Sequence, residues 1–271
     1  MSNISLSTLK TVRASDLPPR LLIYGPEKIG KTSLAAEFPD PVFLRIECGP
    51  SEGLELHGWD IGNYAEFLEA IGVLYSDDHD FKTVVIDSTS SLESRVIWPE
   101  VCRIGDGVGH IEDFGFGKGY KLAIPIWEQA LSALNDLRTD KGMSVVLLGH
   151  SLTKNFGDPE TQSYSMFDVA LQDAEKVSAA ARIKREMDAI LFIKKDVTVE
   201  KEDPKNKHNN RVIGKGGSTR WIHTEGRPAF VAGNRYSMPE KILYRRGEGF
   251  AALAPHISSL ARYLPDAKKA A

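Results

Sequence analysis

The chain reads as an α/β protein with a mainly parallel central sheet covered by helices on both faces. Three observations predict this class. Short apolar runs alternate with stretches of helical periodicity between residues 20 and 193. Beyond residue 193 the pattern changes to period two, which predicts an antiparallel hairpin. No apolar run approaches the ~20 residues that cross a membrane.

Each element has its own warrant. Residues 1–18 are polar and run into Pro18-Pro19, so they read as a flexible arm. Arg20–Tyr24 (RLLIY) is a short run of buried-strand type, and Lys31–Phe38 carries helical periodicity. Val42–Ile46 is a second strand and Tyr64–Leu74 a helix. Thr83–Ile86 is a third strand, followed by a helix from about Ser91. Lys118–Arg138 is a long helical pattern that Pro125 should kink or restart. Ser144–Leu148 is a fourth strand, Glu175–Glu186 a helix and Ala189–Ile193 a fifth strand. Asp196–Glu202, Arg211–Ile213 and Thr219–Thr224 alternate like hairpin strands around a turn-rich tip, PKNKHNN. Residues 239–262 read as short helices. The organisation is therefore an arm (1–18), one domain (19–262) with a hairpin extension (194–224), and a tail (263–271).

Composition narrows the function classes. The chain has 271 residues, 37 acids against 34 bases, and a formal net charge of −3. That balance argues against a nucleic-acid binder acting through bulk charge, so any such surface has to be local. Two cysteines, Cys48 and Cys102, give no disulfide framework and no zinc spacing. The first twenty residues lack the apolar core of a secretory signal. A reducing cytoplasm, without membrane association, is the expected setting.

Residues 25–32 read GPEKIGKT, the pattern G-x-x-x-x-G-K-[ST] of a phosphate-binding loop. Its place between a strand and a helix is the one this chemistry needs. Gly25 and Gly30 let backbone amides turn toward phosphate oxygens, with Pro26, Glu27, Lys28 and Ile29 forming the rest of the cradle. Lys31 reaches the β- and γ-phosphates, Thr32 offers a hydroxyl to Mg²⁺, and Ser33 completes the nucleotide contact. Asp87 ends the strand TVVID and is the second Mg²⁺ candidate. The same acid can also simply cap the helix that follows.

Many nucleotide hydrolases carry Glu directly after this Asp, whereas here the next residue is Ser88. Glu47, at the end of the second strand, is the leading candidate to orient the attacking water, with Glu52 further out in the loop. The competing reading of Glu47 is a solvated carboxylate at the rim. His150, after the fourth strand in SVVLLGHS, occupies the equivalent strand end and suits a sensor of the γ-phosphate.

Together, the phosphate loop, Glu47, an Asp87 without a following Glu, the Gly149-His150 pair and the later run GNRYSMPEKI resemble the RecA-like ATPase core. They look most like the short phage ATP-binding proteins of that superfamily, over roughly residues 18–255. The resemblance implies ATP and Mg²⁺, a homo-oligomer in a ring or filament, and single-stranded DNA annealing or recombination. A single-stranded DNA-binding protein is a further implied partner, and the host cytoplasm the setting. It also implies a basic residue acting across a subunit interface, for which Arg235 fits the pattern better than Arg227.

Three segments are candidates for DNA. Cys102–Tyr120 has six glycines between Gly105 and Gly119, interleaved with Phe114, Phe116, Lys118 and Tyr120. Aromatics and a base in such a segment can stack on unpaired bases, or the aromatics can fold back onto the core. Leu152–Gln172 reads as a loop with Lys154 and Phe156 as candidates. Pro204–Arg220 has five bases, among them Lys205, Lys207 and Arg211, and no acids. The alternative function is a nucleotide-dependent switch or scaffold acting on a protein partner without DNA. A small-molecule kinase fits poorly, because no basic lid sequence is present.

Overall fold

The computed structural model describes residues 9, 13, 17–47, 53–105, 107–157, 162–174, 177–201 and 212–265, with backbone alone at 197–201 and 212–215. The elements in chain order are β1 (Arg20–Gly25), α1 (Lys31–Ala36), β2 (Pro41–Arg45), β3 (His57–Asp60), α2 (Tyr64–Ser76) and β4 (Thr83–Asp87). Then come α3 (Thr89–Leu92), a π-helical turn (Glu93–Ile97), α4 (Trp98–Ile104), a 3₁₀ turn (Ile111–Phe114) and α5 (Lys118–Asp140). β5 (Ser144–Phe156), β6 (Tyr164–Val169), β7 (Asp173–Ala174), β8 (Val177–Ser178), α6 (Ala179–Glu186), β9 (Ala189–Lys201) and β10 (Val212–His223) follow. The chain finishes with β11 (Gly233–Asn234), β12 (Lys241–Tyr244), α7 (Gly249–Leu253), a 3₁₀ turn (Ala254–His256) and α8 (Ser258–Ala261).

The main sheet runs β12-β10-β9-β1-β5-β4-β2-β3. The six strands from β9 to β3 are mutually parallel, and β10 joins β9 antiparallel. This is the predicted fold class, hairpin included. Strand alternation divides the core. Leu21, Ile23, Phe43, Val85 and Val146 pack with Leu34 of α1, Tyr244 and Leu253. Leu22, Tyr24, Leu44, Ile86 and Leu147 face the other way onto Phe67 of α2 and Trp127 and Leu134 of α5. Both sheet faces are therefore dry, which explains why the strands read as continuous apolar runs.

Four local expectations are corrected. Strand β3 (HGWD) was not predicted; all four residues are exposed, at the sheet edge, and carry no apolar pattern. Within 152–172 two stretches are strands rather than loop: β5 runs on to Phe156 and pairs antiparallel with β6 (Tyr164–Val169), from Ser151–Val169 to Phe156–Tyr164. Within 239–262, Lys241–Tyr244 is a strand rather than helix, and the short helices begin at Gly249. Finally, α5 passes through Pro125 as one helix. Pro125 and Lys121 are exposed while Ala123, Ile126, Trp127 and Ala130 are buried. The carbonyl that Pro125 cannot bond belongs to the exposed Lys121 on the solvent side of the helix. Among the described residues no helix is long and apolar enough to cross a membrane.

Candidate functional site: a phosphate cradle at the carboxyl ends of the strands

The parallel register brings the sequence candidates to one end of the sheet. Gly25 pairs with His150, Asp87 with Leu148 and Arg45 with Asp87, so Glu47 follows two residues beyond. The amide of Ile46 donates to the Asp87 carbonyl at 2.8 Å, which seats the β2 terminus beside the β4 terminus. β5, carrying His150, lies between β1 and β4.

The loop leaves β1 at Gly25, where a Cβ would lie 2.4 Å from the carbonyl oxygen of Ile193, so β9 admits only glycine there. Gly30 enters α1 with φ +110°, in left-handed space that a side chain resists. Lys31 folds back beneath the loop, its Nζ donating to the carbonyls of Gly25 and Pro26 at 3.0 Å each. Burial pushes the Lys31 ammonium below its ordinary pKa, while the Asp87 and Glu47 carboxylates hold it up. An ammonium bound only to neutral carbonyls is ready to exchange them for phosphate oxygens. Pro26, Glu27 and Lys28 are exposed at the loop crest and Ile29 is buried against the core.

Thr32 Oγ1 donates to Asp87 Oδ2 at 2.8 Å. A hydroxyl beside a carboxylate is a hard-oxygen pair that suits Mg²⁺, which keeps several waters and phosphate oxygens as its other ligands. Burial raises the Asp87 carboxyl above its ordinary range, and the Thr32 hydrogen bond only partly offsets it. A cation here would relieve that buried charge. Among the described residues no group of three or more His, Cys, Asp or Glu could hold a metal by itself.

Glu47 is tied on one oxygen. Its Oε1 accepts from Ser88 Oγ, from Ser91 Oγ at 2.7 Å and from His150 Nε2 at 2.7 Å. The His150 hydrogen bond leads in lowering the carboxyl to about 2, against a smaller opposing effect of burial. The carboxylate partner places the proton of His150 on Nε2 and leaves Nδ1 buried, without a partner among the described residues. The His150 amide donates to Ser90 Oγ at 3.2 Å, so the middle of β5 also leans on the helix that follows Asp87.

These groups border one cleft of about 660 Å³, together with Lys28, Ser33 and Arg246. Lys31, Thr32, Asp87, Glu47 and His150 thus meet in the fold. Sequence reasoning missed Ser88 and Ser91; the signal was the hydroxyl run DSTSS standing where a second carboxylate was sought. It also missed Arg95 and Arg246, which line the same cleft from α3's π-helical continuation and from beyond β12.

Other candidates lie elsewhere. Arg235 follows β11, which pairs with the first residues of β9, at the amino end of the sheet. Its guanidinium binds Asp188 at 3.3 Å and does not line its own chain's cleft. Arg227 is paired with Glu240. Lys154 is held by Asp173 at 2.6 Å and Asp168 at 3.3 Å, so its charge is already engaged. Phe116 is fully exposed, Lys118 begins α5, and Phe156 lies tilted against Tyr164 with 5.5 Å between ring centres. Phe114 packs back against the core. Lys205, Lys207 and Arg211, like Cys48 and Glu52, lie outside the described residues.

A family model described as an AAA domain matches residues 17–236. A search of curated proteins finds no match. Among solved structures, a chain titled as the RadB recombinase is similar at 16% identity with a TM-score of 0.46, covering 85% of this chain and 90% of that one.

Proposed function

The chain belongs to the AAA domain family, and we propose that it is a Mg²⁺-dependent ATPase of RecA-like organisation that acts on single-stranded DNA. The observation that carries the ATPase reading is the convergence of Lys31, the Thr32–Asp87 pair and the Glu47–His150 pair on one cleft.

In this reading Lys31 gives up the carbonyls of Gly25 and Pro26 and turns its ammonium to the phosphates. Thr32 and Asp87 hold Mg²⁺, which when bound supplies charge neutralisation at the phosphate oxygens. Among the described residues Glu47 takes all three of its donors on Oε1, which leaves Oε2 for the attacking water. A carboxyl held near 2 is a weak proton acceptor. Its part is therefore to orient water in line rather than to store the proton. His150 reads the loss of the γ-phosphate through Glu47 and passes it along β5.

The DNA part of the reading rests on that last link. β5 continues from His150 straight into the β5–β6 hairpin, whose far end presents Phe156 and Tyr164. Exposed Phe116 and the basic run 204–220 are further candidate contacts. Annealing or recombination in a phage setting, within a homo-oligomer and beside a single-stranded DNA-binding protein, completes the proposal. The engagement of Lys154 by Asp168 and Asp173 favours the second reading, a nucleotide switch for a protein partner.

The test is ATP hydrolysis with and without single-stranded DNA, beside Lys31→Ala. Turnover stimulated by DNA and lost in the variant supports the first reading. Hydrolysis indifferent to DNA, with no DNA binding at low salt, rejects it in favour of the protein-partner switch.

A further inference from the structure

The turn after β12 is fastened onto the phosphate loop from the far end of the chain. The buried Tyr244 hydroxyl donates to the Gly30 carbonyl at 2.8 Å across 214 residues of sequence. Glu37, at the C-terminal cap of α1, accepts the amides of Gly247 at 2.7 Å and Phe250 at 2.9 Å. These bonds flank Arg246 on both sides. A Cβ placed on Gly30 would lie 3.6 Å from Arg246 Nε, so the arginine rests against the loop itself. Arg246 is exposed to the cleft and, among the described residues, has no carboxylate partner, whereas its neighbour Arg245 pairs with Glu248 at 3.5 Å.

An unpaired guanidinium held against a phosphate cradle is a charge waiting for an anion. Its direction of approach says which part of the ligand it meets. In the sheet order, β12 lies three strands to one side of β1, while β2 with Glu47 lies three strands to the other. Glu47, His150 and Asp87 mark the wall where the transferred phosphate sits. Arg246 faces it from the opposite wall, across the loop.

We infer that Arg246 is a nucleotide-binding residue of its own chain, contacting the α-phosphate and nucleoside end of ATP, with Tyr244 as its positioning residue. The inference rests on the nucleotide reading above. The segment that carries it, Lys241–Phe250, lies beyond the 17–236 span matched by the family model.

The experiment is equilibrium binding by calorimetry to the full chain, with ATP, ADP and inorganic tripolyphosphate as probes. Arg246→Ala should weaken ATP and ADP alike by about ten- to a hundredfold, and tripolyphosphate, which keeps the phosphate but not the nucleoside, by a smaller factor. Tyr244→Phe should shift ATP and ADP in the same direction by a smaller factor. Arg246 is a surface side chain, so its melting temperature serves as the folding control. Loss of ATP with ADP unaffected would assign the residue to the transferred phosphate and overturn the inference, as would unchanged binding of both. A wild-type chain that binds none of the three probes would instead overturn the nucleotide reading itself.

Discussion

His150 Nε2 donates to Glu47 Oε1 at 2.7 Å, joining the middle of β5 to the segment just beyond β2, two strands that do not touch in the sheet. β4 lies between β2 and β5 with β5 further in, so the bond bridges over the Asp87 strand end. Ser88, directly after Asp87, and Ser91 of α3 donate to the same carboxylate oxygen. One oxygen thus ties together groups from β2, β4 and β5.

The first prediction concerns that carboxylate. Glu47→Gln should lower hydrolysis by about 10²–10⁴-fold while nucleotide binding is retained, as measured by steady-state turnover beside calorimetry. In the wild type, Glu47 is held near 2 and stays ionised across any practical assay range. Removing the leading cause with His150→Ala should return the carboxyl toward its ordinary value of 4.5. The pH–rate profile of that variant should then gain an acid limb between about pH 4 and 5 that the wild type lacks. The stability linked to Glu47 has the matching sign: present above pH 4.5, and lost as pH falls toward 2.

Asp87 predicts a trade of stability against activity. Its carboxyl is raised by burial, so its ionised form is less favourable in the folded chain than in the unfolded one. Asp87→Asn keeps an acceptor for the Thr32 hydroxyl and removes the buried charge. Thermal melts without nucleotide in a chelator should show the variant a few degrees more stable, and Mg²⁺-dependent turnover should be lost. A variant that melts below the wild type would show that the charge is compensated by groups other than Thr32 and Lys31.

The parts legible from sequence were those where one physical constraint acts locally. β1, β2, β4 and the start of β5 bury both faces, so their residues spell continuous apolar runs. The loop 25–32 needs glycines at fixed spacing because Ile193 and the left-handed turn at Gly30 exclude side chains. The rest depended on contacts with no local trace. β3 is an exposed edge strand that pairs with β2 along one side. The β5–β6 hairpin is half exposed and mixes polar and aromatic residues, so its alternation is weak. Arg246 reaches the cleft through Tyr244 and Glu37, two contacts more than 200 residues distant in sequence, which no spacing rule anticipates.

Asp188 and Arg235 separate a structural from a functional arginine. Asp188 is buried and binds Arg20 at 3.4 Å, Arg138 at 3.1 Å and Arg235 at 3.3 Å. Arg20 and Arg138 are nearly buried, whereas Arg235 keeps 60% of its side chain exposed. Asp188→Ala leaves Arg138 without its carboxylate and Arg20 with Glu186 alone, at 3.1 Å, and should cost about 3–5 kcal/mol in denaturant unfolding. Arg235→Ala should stay within about 1 kcal/mol of wild type. A fall in turnover with stability intact, rescued by mixing with a Glu47→Gln chain whose Arg235 is present, would place the arginine in trans. Turnover unchanged in Arg235→Ala would remove it from the site.

The last prediction comes from a buried acid outside the phosphate cleft. Glu93 opens the π-helical turn, is 3% exposed, and accepts the Gln172 amide on Oε2 at 2.7 Å. Ala170, two residues earlier, donates its amide to the His150 carbonyl at 2.8 Å. Glu93 therefore fixes the return of the β5–β6 hairpin to the helix behind Asp87. Burial pushes its carboxyl up to about 7, against hydrogen bonds and a lysine charge that lower it. With the folded value above the unfolded one, the linked stability is complete below pH 4.5 and is lost as pH rises through 7. Between pH 5 and pH 8 that loss is on the order of 2 kcal/mol. Glu93→Gln keeps an oxygen for the Gln172 amide and cannot ionise, so its stability should fall less over this range. Urea unfolding of both chains at pH 5 and pH 8 measures the difference between the two slopes. Parallel curves would mean that Glu93 is already charged at pH 5, and that its buried oxygens are stabilised by more than the Gln172 amide.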